Sequence, residues 1–254
     1  MKARVVLLFL LSGILSACVS SGQVNPLETQ KGRSEARDAY IQLGIGYLQK
    51  GYTERAKAPL SEALNIDPRN ADAHAALALV FQTEAEPKLA DKHYREALSS
   101  RPRDARILNN YGSFLFEQKR YQEAFERFEQ ASEDTLYGER SRVFENLGMT
   151  ALALGHRDQA KDYFSRTLRM NRQQPRALLE MAVLSYEDRE FVPARGYYER
   201  YSQTSGQQTA RSLLLGIRLA NIFDDRDTAA SYGLQLKRLY PGSPEYQAYL
   251  SEQR

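Results

Sequence analysis

Residues 71–104, ADAHAALALVFQTEAEPKLADKHYREALSSRPRD, form a unit that the rest of the chain keeps repeating. Pro87 can open a helix at its first turn, and Pro102 stops one, because proline has no N–H to donate and its ring clashes with the preceding turn. The pattern starts again at Ala105. Working outward in both directions, repeats begin at Arg37, Ala71, Ala105, Ser141, Pro175 and Ala210, at spacings of 34, 34, 36, 34 and 35 residues. Self-similarity at such a period marks stacked helix pairs, each of which buries its apolar face on the next.

Numbering each repeat from its first residue gives columns with physical meaning. Two antiparallel helices approach closely only where one contact stays small, and column 20 is alanine in all six repeats: Ala56, Ala90, Ala124, Ala160, Ala194 and Ala229. Column 8, where the first helix meets its partner, holds Gly44, Ala78, Gly112, Gly148 and Ala182; the sixth repeat departs with Ile217, preceded by Gly216. Larger residues fill column 4 (Tyr40, His74, Leu108, Phe144, Leu178, Leu213) and column 24 (Leu60, Tyr94, Phe128, Phe164, Tyr198). Proline closes second helices at Pro68, Pro102 and Pro241. Period and columns are those of the tetratricopeptide repeat. The expected fold is all-α, a right-handed superhelical solenoid of about six tetratricopeptide repeats over residues 35–254, with repeats near 37–70, 71–104, 105–140, 141–174, 175–209 and 210–243. The third and fourth repeats join irregularly. Leu136 stands where a closing proline is expected and two residues are added, which reads either as a partner-touching loop or as a tolerated insertion.

In such a stack the first helix of each repeat lines the concave side. Columns 5, 9 and 12 there supply Ile45, Leu48, Leu79, Asn109, Phe116, Met149, Leu152, Leu179, Val183 and Tyr186, a mostly apolar groove. Column 2 adds Arg106, Arg142, Arg176 and Arg211. Arg142 and Arg176 would edge a groove suited to an amphipathic helix or extended segment, their guanidinium groups reading carboxylates or carbonyls; the same arginines could instead form ordinary ion pairs on helix surfaces. The lysine and asparagine clamp of chaperone-binding repeats is absent, since Ile41, Ile45, Ala75 and Leu79 stand at its positions.

The N-terminus carries a different signal. Lys2 and Arg4 precede an apolar run from Val5 to Leu11, and small residues follow, which is the layout of a secretory signal peptide over residues 1–17. Its end, Leu15-Ser16-Ala17-Cys18, resembles the bacterial lipobox, and that resemblance implies cleavage and acylation of Cys18, the sole cysteine. Several acyl chains hold far more firmly than one. Val19, where inner-membrane retention usually shows aspartate, favours the outer membrane and its periplasmic face. Residues 18–34 are expected to be a lipidated N-terminus and flexible tether. The formal net charge is +3, of which Lys2 and Arg4 supply two, so nucleic acid is not indicated.

Catalytic constellations are missing. His74, His93 and His156 fall at a core column, a second helix and a turn, and suggest no metal site. No phosphate loop, dinucleotide fingerprint or nucleophile elbow occurs. Asp224 and Asp225 sit at a helix junction, where capping is their expected role. Neither cofactor nor small-molecule substrate is expected, apart from covalent lipid on Cys18.

Longer strings carry a more specific resemblance. ARDAYIQLGIGYLQKG, ADAHAALALVFQTEAEPKLAD, NNYGSFLFEQKRY, ERSRVFENLG, ARSLLLGIRLA and LQLKRLYPGSPEY resemble the type IV pilus biogenesis lipoproteins of the PilF/PilW family, the pilotins of the pilus secretin. The resemblance implies an outer-membrane adaptor, not an enzyme, which binds secretin subunits, promotes their localisation and multimerisation, and supports twitching motility. The alternative is a repeat scaffold lipoprotein of outer-membrane protein assembly or peptidoglycan remodelling.

Overall fold

The computed structural model describes residues 28–204, 206 and 208–253. The expected signal peptide and Cys18 lie outside the described residues. Among those described are 13 helices and no strand. They are α1 (Gln30–Gln49), α2 (Thr53–Ile66), α3 (Ala71–Thr83), α4 (Pro87–Ser100), α5 (Ala105–Glu117), α6 (Tyr121–Ser132), α7 (Arg140–Ala153), α8 (Arg157–Met170), α9 (Pro175–Glu187), α10 (Phe191–Thr204), α11 (Ala210–Ile222), α12 (Arg226–Leu239) and α13 (Pro244–Glu252).

The helices divide between two compact units, one ending at Arg101 and the other running from Pro102. The first contains repeats one and two, the second repeats three to six, and in each the two helices of a repeat pack on one another. The small-residue columns explain how closely. Ala56, Ala90, Ala124, Ala160 and Ala194 have no exposed surface, and Ala229 has 8%. A Cβ placed on Gly44 would lie 2.5 Å from Leu60 Cγ, one on Gly112 2.6 Å from Phe128 Cε1, and one on Gly148 2.5 Å from Phe164 Cε1. Column 8 is therefore pressed against column 24, small against large. The sixth repeat exchanges them: Ile217 occupies column 8, and the buried Gly233 occupies column 24. The side of Gly233 where a Cβ would stand is filled by Tyr249 of α13. That last helix, which the repeat count does not predict, closes the stack.

A recurrent turn joins the helices inside every repeat. Column 15 has positive φ in all six, at Gly51, Ala85, Lys119, Gly155, Arg189 and Asp224. The next N–H reaches back five residues to a helical carbonyl, as in Tyr52 N to Tyr47 O, Arg120 N to Leu115 O and Glu190 N to Ser185 O. This is the six-to-one bond that satisfies orphan carbonyls at a helix end. Only Gly51 and Gly155 carry the residue that adopts this conformation without strain. Three of the first helices are opened by side chains near the repeat boundary: Asn70 accepts from Ala73 N, Asp104 from Ile107 N, and Thr209 with Ser212 forms a capping box. Asp225 caps α12 by accepting from Thr228 N, as its sequence position suggests, whereas Asp224 is the turn residue.

Two boundaries differ from expectation. The first helix begins at Gln30, so residues 30–34, expected in the tether, are helical; the Thr29 hydroxyl accepts from Gly32 N and gives the helix an earlier start than the apolar columns reveal. At the irregular junction α7 begins at Arg140, whose guanidinium donates to Ser132 O and lies 5.3 Å from the Phe144 ring centre, leaving Leu136 92% exposed on the connection.

Candidate functional site

The groove columns occupy the first helices, and the structure places them at an intermediate depth. In the first unit Ile45 and Leu48 are half-buried against Leu60, Leu77 and Val80, and Leu79 is half-buried on α3. In the second unit Met149, Leu152, Val183 and Tyr186 are half-buried and lean on the core that contains Phe164, Leu178 and Leu184. Phe116 sits 5.2 Å from the Tyr121 ring. These positions follow from helical period: columns 8 and 4 face the partner helix, and columns 9 and 12 stand one step round, touching the core on one side and solvent on the other.

Asn109 and Leu179 depart from the groove expectation. They are only 6% and 9% exposed, because column 5 points further inward than columns 9 and 12. Asn109 instead joins a buried polar ladder between first helices, its Oδ1 accepting from Asn146 Nδ2 at 3.0 Å. Beside it Glu145, 4% exposed, accepts from Gln174 Nε2 at 3.0 Å through one carboxylate oxygen, while its other oxygen has no partner among the described residues. One repeat further, the buried Glu180 carboxylate accepts a two-pronged bond from Arg211 at 2.5 and 2.9 Å. That bond holds the guanidinium above its ordinary pKa despite partial burial.

The arginine column is accordingly not one uniform edge. Arg211 is committed to Glu180, and Arg142 pairs with Glu139 at 3.4 Å on the helix surface, the ordinary role that its spacing also allowed. Arg176 is exposed and makes no ion pair among the described residues. It rims a recess of about 330 Å³ whose walls include Ser113, Phe116, Glu117, Phe128, Asn146 and Met149. An apolar floor with the Arg176 guanidinium and the Glu117 carboxylate in its walls can seat a single large apolar side chain flanked by polar groups. Phe116, Met149 and Arg176 are thus brought together from three repeats, and Ser113 of column 9 belongs with them, as do Glu117 and Asn146, which stand outside the groove columns.

The histidines hold a surprise of a different kind. His74 and His93 touch, Nδ1 to Nδ1 at 2.9 Å, while His74 Nε2 bonds Pro68 O and His93 stacks on Phe81 with ring centres 5.3 Å apart. Burial, then the neighbouring His74 and Lys92, push the His93 pKa down from 6.5 to about 4. The pair is a packing contact within repeat two, as column 4 and column 23 are adjacent in each helix pair. Among the described residues no group of three or more histidines, cysteines or carboxylates could hold a metal ion, and no helix is long and apolar enough to cross a membrane.

Models of the tetratricopeptide repeat match residues 38–70, 103–173 and 146–208. Over 252 residues the chain is 66% identical to the type IV pilus assembly protein PilF of Pseudomonas aeruginosa, covering 99% of this chain and all of that one. The chain belongs to the PilF family of tetratricopeptide-repeat proteins. A solved structure of P. aeruginosa PilF superposes with a TM-score of 0.85 at 68% identity, covering 87% of this chain and 100% of the other. A crystal structure of PilW, described as a widely conserved type IV pilus biogenesis factor, gives 0.72 at 29% identity over 84% and 98%. Both PilF-family structures share the stacked helix pairs, which agrees with the fold expected from columns 8, 20 and 24.

Proposed function

We propose that this protein is a lipid-anchored adaptor of the outer membrane, a pilotin, which binds subunits of the pilus secretin and promotes their localisation and assembly into a ring. The observation that carries this reading is the 66% identity to PilF, a type IV pilus assembly protein, along essentially the whole of both chains. Identity of that extent reaches beyond the alanine and glycine columns, which any tetratricopeptide stack needs.

The physical organisation fits the role. Cys18, acylated, holds the chain at the periplasmic face of the outer membrane, and confinement of adaptor and client to one surface raises their effective concentration. The half-buried columns of the first helices, with the recess at Phe116, Met149 and Arg176, receive an apolar segment of the client. Half-buried residues suit this task, since they are already positioned by the core and yield further apolar area to a partner at little entropic cost.

Deletion of the gene tests the reading. Secretin monomers should persist while assembled rings and twitching motility are lost, and a Cys18→Ser chain, released from the membrane, should fail to restore rings. Normal rings in the deletion strain would refute the proposal, and a broad loss of outer-membrane proteins would assign the chain to envelope assembly instead.

A further inference from the structure

The second helices carry a site with a chemistry unlike that of the groove. Between α8, α10 and the 171–174 connection lies a solvent-open cavity of about 750 Å³, and Arg169, Arg172 and Arg200 line it together with Ser165, Tyr197 and Thr204. No carboxylate lines it.

Several arginines of the second unit are neutralised: Arg142, Arg157, Arg195, Arg211 and Arg218 all form ion pairs. Arg169, Arg172 and Arg200 form none among the described residues. Glu199, the nearest acid in sequence to Arg200, pairs with Arg195 at 3.6 Å. The Arg200 guanidinium is nonetheless held in place. It donates to Arg172 O at 2.7 Å and lies 5.9 Å from the Tyr197 ring centre, so ordering it costs little when a ligand arrives.

Three guanidinium groups and several neutral donors, with no acid to balance them, favour a ligand rich in acceptor oxygens and negative charge. A carboxylate offers one charge and two oxygens. A phosphate monoester offers up to two charges and three free oxygens; a phosphodiester carries one charge on two, but a lipid surface presents several side by side, and either group matches the planar fork of arginine. The cavity is larger than a bare phosphate, which indicates that the group is borne on a larger body. We infer that this cavity binds a phosphate-bearing anion, either a soluble organophosphate or the headgroup of an anionic phospholipid. The site stands on the second helices and does not depend on the adaptor reading of the groove.

The test uses the full chain with Cys18→Ser, so that no acyl chain inserts into vesicles, at about 0.15 M ionic strength where exposed charges are largely screened beyond roughly 8 Å. Glycerol 1-phosphate and inorganic pyrophosphate are titrated by calorimetry, and vesicles of phosphatidylcholine with and without phosphatidylglycerol by co-sedimentation. Saturable binding of the soluble phosphates identifies an organophosphate; binding confined to phosphatidylglycerol vesicles identifies the headgroup. In either case R169Q/R172Q/R200Q should weaken binding by roughly tenfold or more, because charge-assisted bidentate bonds are lost, whereas R33Q/R55Q/R238Q, removing the same charge elsewhere, should not. The exposed single changes R169Q and R172Q replace the triple variant if circular dichroism shows it misfolded. No saturable binding of either probe class, equal binding by the two triple variants, or tighter binding of a glutamate-rich peptide than of the phosphates would overturn the inference.

Discussion

At the scale of single residues, the fold rests on pairs in which one member is small. Gly148 faces Phe164, which is fully buried and cannot swing away, so Gly148→Val should lower the unfolding free energy by about 2–3 kcal/mol through overpacking. At the same column Ala78 and Ala182 are fully buried, so a single methyl is tolerated in those two repeats, where column 24 is tyrosine. Urea midpoints at unchanged slope measure the effect. The column-15 turns give an opposite expectation. Lys119 adopts φ of 60° without being glycine, and Lys119→Gly should stabilise by about 0.5–1 kcal/mol, the relief of left-handed strain exceeding the extra entropy of the unfolded chain; a lower midpoint for this variant would contradict it. Column 20 and column 8 were legible because a steric rule admits so few residue types. Column 15 was not legible, since lysine, arginine, alanine and aspartate there hide a shared backbone conformation imposed by the six-to-one hydrogen bond.

At the scale of helices, caps and pairings decide where elements begin and what joins them. Prolines announced α4 and α9, and the polar caps at Asn70 and Asp104 stood at the expected ends of repeats, so most boundaries could be read from the chain. The early start of α1 could not, because one threonine hydroxyl determines it and no apolar period extends that far. The His74–His93 contact joins α3 to α4 and was equally hidden: each histidine taken alone is an ordinary core or surface residue, and only the packing of column 4 beside column 23 brings the two rings together. It has a pH consequence. His93 is held neutral in the folded protein down to about pH 4, whereas in the unfolded chain it binds a proton below about 6.5. The unfolded state therefore binds more protons across that window, and stability falls as pH is lowered from about 6.5 to 4. His93→Phe, which keeps the stacking on Phe81 but cannot titrate, should flatten this part of the stability profile in urea titrations; an unchanged slope would show that other groups produce it.

At the scale of the whole molecule, the repeat array provides a common framework and the first-helix columns provide individuality. Six copies of the alanine contact build the stack, while column 9 passes from the apolar Ile45, Leu79, Met149 and Val183 to Ser113 and Arg218. The apolar character of the groove was legible from those columns. The recess was not, because its walls come from four helices, α5, α6, α7 and α9, and its polar members Glu117 and Asn146 stand outside the groove columns. Burial also withdrew Asn109 and Leu179 from the surface, and ion pairing withdrew Arg142 and Arg211, leaving Arg176 as the uncommitted cation at the recess. The central claim, that this surface grips a secretin subunit, is tested most directly by the affinity of the purified chain for purified secretin subunits, compared with a variant carrying Ser113→Gln and Arg176→Glu, which narrows the recess and replaces its guanidinium by a carboxylate without touching the alanine columns. The account predicts a loss of roughly tenfold or more with helicity and thermal midpoint preserved, as for removal of a central anchor; undiminished affinity in that folded variant would contradict it.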